Sequence, residues 1–91
     1  MNKIILEQLA KEGVKSTMTG YKYLVKCIAL IVEDWERACN IWAVYSKLAE
    51  EYSTTPKAVD KAVRYVLKAS NVKCPPSEFI CRVADKVRFS S

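Results

Sequence analysis

The stretch "KLAEEYSTTPKAVDKAVRYVLKAS" (47–70) decides how this chain folds. A short run of helix-forming residues, "KLAEEY", ends at "STT", and a longer run follows it. Thr55 is placed to cap the second run, and Pro56 stands at its first position, where a missing N–H costs nothing. No glycine interrupts the run before "NVKCPP" (71–76), whose prolines forbid continuation. A helix is therefore predicted over about 56–70, preceded by a two-turn helix that Ser46 would cap. Two helices joined by so short a turn form a helix-turn-helix, at about 46–70.

The tight crossing of such a pair needs a small residue in the first helix, a small one at the turn and an aliphatic one facing back. Ala49, Ser53 and Val59 stand at the spacing this requires, with Leu48, Tyr52, Ala62 and Val63 as flanking apolar positions. Glycine is common at such turns because the backbone there is often left-handed, so Ser53 is a departure. At about 100° per residue from Lys57, Lys61 falls near 40°, Arg64 near 340° and Lys68 near 20°. Val59, Ala62, Val63 and Val66 lie opposite, between about 140° and 240°, and Asp60 sits at the edge of the basic arc, near 300°. One face is built to pack, and the other presents four cations. Solvation alone would explain such a face. Three features argue for contact: the arc reads as single-signed rather than laced with i,i+4 pairs, it lies on the second helix, and it begins at a capped N-terminus whose N–H groups suit a phosphate.

The rest of the chain sets the frame. Its 91 residues allow one domain, 1–91, with 51% hydrophobic and 27% charged residues and only two glycines and three prolines. That composition favours a compact all-α domain of five or six helices. The longest strongly apolar run, "CIALIV" (27–32), is far short of a membrane span, and the glutamates in "MNKIILEQLAKEG" speak against a secretory signal, so a cytoplasmic chain is expected. The four cysteines (27, 39, 74, 81) have no metal-site spacing, the chain has no histidine, and the thiols are expected to be structural, with no metal or cofactor. Residues 1–53 carry seven basic and seven acidic side chains; residues 54–91 carry eight against three and hold the whole net charge of +5. An anionic partner fits that asymmetry.

Further helices are predicted over 3–12, with Ile5, Leu6 and Leu9 on one face and Gly13 as a left-handed cap, and from Gly20 to about Glu36, with Thr19 as N-cap. In the second, Leu24, Cys27, Ile28, Ile31 and Trp35 form a stripe that Val25, Ala29 and Val32 widen, as in a central buried helix. "CNIWAVY" (39–45) is ambiguous by period and is taken as a helix. Ser77 is the expected cap of a last helix, about 78–88, with Phe79, Ile80, Val83, Ala84 and Val87 inward. Trp35 and Trp42 are expected in the core, and Glu33, Asp34 and Glu36 at a solvated helix end.

Three separated matches in order, "EGVKSTMTGYKYLVKCI" (12–28), "LAEEYSTTPKAVDKAVRYVL" (48–67) and "SEFICRVADKVR" (77–88), span nearly the whole chain. In these the sequence resembles the C-terminal effector domain of the sporulation master response regulator of spore-forming Firmicutes. The resemblance implies an all-helical DNA-binding domain whose recognition helix reads a promoter box in the major groove, often as tandem protomers. Full-length members carry an N-terminal receiver that controls dimerisation, and this chain, starting at Met1 in the effector domain, is expected to lack it. Where the family shows Arg-x-Glu-Arg in the first turns of the recognition helix, this chain has Ala58, Asp60 and Lys61; Arg64 matches a family arginine. Neither Ala58 nor Lys61 supplies an arginine fork, so an altered or relaxed preference is expected. "ASNVKCP" replaces a longer family segment between Lys68 and Pro76, which removes support for family-like dimerisation.

The leading expectation is thus a transcription-regulator domain on double-stranded DNA. Lys57, Lys61 and Arg64 would reach the groove, with Asp60 tuning the base accepted. Ser53, Thr54 and Thr55 would hold phosphates from the turn, and Lys47 and Lys68 would flank them. Homodimers or tandem protomers on DNA would follow. The alternative is a protein-interaction module that pairs with a full-length regulator without specific DNA binding of its own. An enzyme is disfavoured: no histidine, no glycine-rich phosphate loop and no motif around serine or cysteine supports one.

Overall fold

Helices account for most of residues 2–34 and 40–90, the part of the chain that the computed structural model describes. In chain order they are α1 (Asn2–Lys11), α2 (Tyr21–Glu33), α3 (Ile41–Glu51), α4 (Pro56–Ala69) and α5 (Pro76–Ser90). No strand occurs among the described residues, as the all-α expectation requires. The Cα radius of gyration, 11.8 Å, is that of a compact chain; about 12 Å is usual at this length.

α2 is the centre. Leu24, Cys27, Ile28 and Ile31 are wholly buried, and the helix packs against each of the other four. Burial pushes the Cys27 thiol up to about 12, so it stays protonated and serves as a small apolar side chain. α1 and α5 pack together on one side of α2, and α3 and α4 on the other. Ile5, Leu9, Phe79, Ile80 and Val83 fill the first side, and Val44, Leu48, Val59, Val63 and Val66 the second. Each such side chain contributes about 1.5–3 kcal/mol relative to exposure, which is how a chain this short holds two helix pairs together.

Three helices end alike. Val14 N–H bonds Leu9 O and Gly13 N–H bonds Ala10 O (both 3.1 Å); the same six-to-one and five-to-two pattern links Thr54 to Ala49 and Ser53 to Glu50, then Val72 to Leu67 and Asn71 to Lys68. The residue after each cap is left-handed: Gly13 at φ 79°, Ser53 at 53° and Asn71 at 62°. Gly13 therefore acts as expected.

Several expectations at helix ends need correction. Ser46 starts no helix; it is exposed in the middle of α3, which runs unbroken from an Asn40 cap whose side chain accepts from Ala43 N–H at 3.2 Å. Thr19 does not cap α2: Gly20 occupies that position, with no side-chain cap bond. α2 stops at Glu33, and Asp34 is already extended. Ser77 lies inside α5, which Pro76 opens. Leu6 is 43% exposed rather than inward, and Trp42 is 48% exposed, edge-on to Tyr45 at 5.3 Å. Trp35, Glu36 and Cys39 lie outside the described residues.

Candidate nucleic-acid interface

α3 and α4 cross over the three residues named for the purpose. Ala49 and Val59 are buried where the helices meet, and Ser53 makes the left-handed turn, supplying without glycine the conformation that glycine adopts most easily. Thr55 caps α4 through Oγ1, which accepts from Ala58 N–H at 3.2 Å. Pro56 opens the helix and Ser70 closes it. Val59, Val63 and Val66 are fully buried, so the packing face read from the helical angles is the packing face found.

The opposite face brings the expected groove residues together. Lys57, Asp60, Lys61 and Arg64 line one shallow depression with Ala58. Arg64 and Lys68 border a second, next to Val72, Lys73 and Cys74. Lys73, which sequence reasoning left out, thus extends the basic row past the end of α4. Ser53 and Thr55 are exposed at the turn and Thr54 is half-buried; Lys47 is exposed on α3.

One feature of the row departs from expectation. The arc is not free of i,i+4 pairs: Arg64 Nε donates to Asp60 Oδ2 at 2.9 Å. Asp60 is largely covered, its side chain 17% exposed, against 61% for Arg64. Behind it lies Tyr45 of α3, whose phenol is pushed up by burial and by the nearby charge of Asp60, among other groups. Asp60 therefore holds the guanidinium in place more than it faces outward. Lys57, Lys61 and Lys68 make no ion pair among the described residues.

A further cation stands near the turn. The Lys22 ammonium lies 5.4 Å from the Tyr23 ring centre and 5.1 Å from that of Tyr52, the residue before Ser53. The two rings meet edge-to-face at 5.3 Å. Its neighbour Gly20 is buried against α4: a Cβ there would lie 2.3 Å from the Ala62 carbonyl oxygen and 2.7 Å from Val66 Cγ2. That approach sets the start of α2 beside α4. Gly20 falls within the stretch 12–28 that carries the family resemblance, but only the fold shows what it touches.

This geometry, a helix-turn-helix with a basic outer face in an all-helical chain, has a counterpart among known families. The family described as Sporulation initiation factor Spo0A C terminal matches residues 5–78. The chain belongs to that family. Spo0A C-terminal domains are DNA-binding sporulation-regulator domains, not a known enzyme family. The family match runs through all of α1 to α4 from Ile5 on and reaches the first turn of α5. No described helix is long and apolar enough to cross a membrane.

Proposed function

We propose that α4 enters the major groove of promoter DNA and that its turn and flanks grip the phosphates on either side. The carrying observation is the exposed row of Lys57, Lys61, Arg64 and Lys68 on the second helix of the helix-turn-helix, in a chain of this family. Lys57 and Lys61, near the start of α4, are placed for base edges, because the first turns of a recognition helix lie deepest in the groove. Arg64 reaches the groove with its guanidinium steadied by Asp60, and Asp60 acts on base choice through it. Ser53, Thr54 and Thr55 offer hydroxyl donors to a phosphate, with Lys47 and Lys22 on the turn side and Lys68 and Lys73 at the far end of α4. The whole chain, 1–91, serves as one effector domain, and tandem protomers on adjacent boxes are the natural mode of occupancy.

Selection of bound sites from a random duplex pool tests this, followed by titration of the recovered site against scrambled duplex. The double variant Lys61→Ala/Arg64→Ala is expected to lose at least about tenfold on the recovered site. Equal affinity for both duplexes, unchanged in that variant, would rule out base readout through α4.

A second reading has its own observation. Leu6 on α1 and Phe89 on α5 are 43% and 86% exposed, on the helix pair across α2 from α3 and α4. Exposed apolar groups there suit a protein partner such as a second copy or a full-length regulator. Gel-filtration mass, alone and mixed with such a regulator, separates the two: a heteromer with no duplex binding at low salt favours this reading.

A further inference from the structure

Charge does not account for everything on the outer side of α4. Along one flank of the cationic row runs an apolar recess of about 330 Å³. Met18, Thr19 and Gly20 form one wall, and Ala58, Lys61, Ala62 and Tyr65 the other. Taking Lys57 as zero, Ala58, Ala62 and Tyr65 fall at about 100°, 140° and 80°. They separate the buried valines from the cations. Tyr65 is 64% exposed, a large ring left in water by the fold. Gly20 closes the recess because nothing larger could lie so near the Ala62 carbonyl.

An occupant must meet two conditions. It must be anionic, because Lys61 lines the recess and Lys57 and Arg64 share the adjoining depression with it. It must also present an apolar group among those charges. The major groove of duplex DNA does both, with phosphates along its rims and the thymine C5-methyl on its floor, a group that small apolar and aromatic side chains read. Ala58 and Lys61 stand in the first turns of α4, where a recognition helix meets base edges.

We propose that this recess receives a thymine methyl group, so that Ala58, Ala62, Tyr65 and Met18 form a thymine-reading element beside the cations. The proposal rests on the duplex-binding reading above and adds to it a required base. Deoxyuridine, which lacks only the methyl, is the probe. Each thymine of the duplex recovered by selection is replaced by deoxyuridine in turn, and binding is measured. At one position the loss should be about fourfold, the factor given by exposing one methyl-sized group; the other positions should stay within twofold. In Tyr65→Ala, and separately in Met18→Ala, that discrimination should shrink towards one. Thermal melting of each variant checks that it is folded, and the substitutions in the DNA test the unaltered chain regardless. Deoxyuridine duplexes that all bind like their parent overturn the proposal, as does discrimination that survives in both variants. If those results come with a recovered duplex, the groove-binding reading stands without the recess. If selection recovers no duplex at all, both fall together.

Discussion

α4 and α5 both carry a row of cations, and the two rows meet different fates. On α5, Arg82 and Lys86 each bond Glu12 at 2.9 Å, which ties that helix to the end of α1. On α4, Lys57, Lys61 and Lys68 have no carboxylate partner among the described residues, and Arg64 alone is held, by Asp60. The excess charge of residues 54–91 is therefore not one surface. Part of it fastens helices to each other, and part is left facing outward. A basic half marks an interface only where the fold brings no acid across to it.

The sharpest way to break this contrast is to dislodge α4 from its seat. Gly20→Ala would drive a Cβ into the Ala62 carbonyl and Val66, so α2 and α4 must part. The expected loss is about 2–3 kcal/mol in urea unfolding. Gly13→Ala, with open space but a left-handed backbone, should lose only about 1 kcal/mol.

Exchanging the two rows comes next. Lys61→Ala should weaken duplex binding by about tenfold and leave the unfolding midpoint where it was. Arg82→Ala should do the reverse, lowering the midpoint slightly with duplex affinity unchanged. If the two variants behaved alike, the division between fastening and facing cations would be wrong.

The start of α4 can be tested without touching a cation. Thr55→Ala removes the cap bond to Ala58 N–H and should cost about 1 kcal/mol. Ser53→Gly relieves a side chain held at φ 53° and should return somewhat less than about 1 kcal/mol.

The smallest effect belongs to the α1–α5 clamp. The hydrogen bond from Lys86 foremost, with the charges of Arg82 and Lys86, holds the Glu12 carboxyl below its ordinary 4.5 despite partial desolvation. A carboxyl lowered on folding stabilises the fold fully above that ordinary value, and the gain fades as pH falls through the lower folded value. Glu12→Gln should thus cost at most about 1 kcal/mol at pH 7, since both cations are half exposed. Unfolding curves taken down to about pH 3 should show the gap between variant and parent closing.

Local chemistry explains which elements could be read in advance. α4 was legible from end to end because Thr55, Pro56 and the prolines after Ser70 act on the backbone within a few residues of themselves. α3 was split in two because Ser46 is a good cap wherever the chain happens to start a helix. The spacing of Val44, Tyr45, Leu48 and Ala49, all buried, carried the continuous period that outweighs it. Thr19 lost the cap to Gly20 for a non-local reason, the contact with Ala62. Trp42 was assigned inward by its hydrophobicity, but it sits two positions before Val44, where the buried face of α3 begins.

By itself the sequence determined the all-helical class, the turn at Ser53, the packing side of α4 and the cations on its other side. Each of these follows from periodicity or from capping within a few residues. The tertiary structure alone decided which cations stay free of acids, what Lys22 rests on and what borders Ala58. Those depend on residues 30 to 74 positions apart, and no local rule specifies which of them meet.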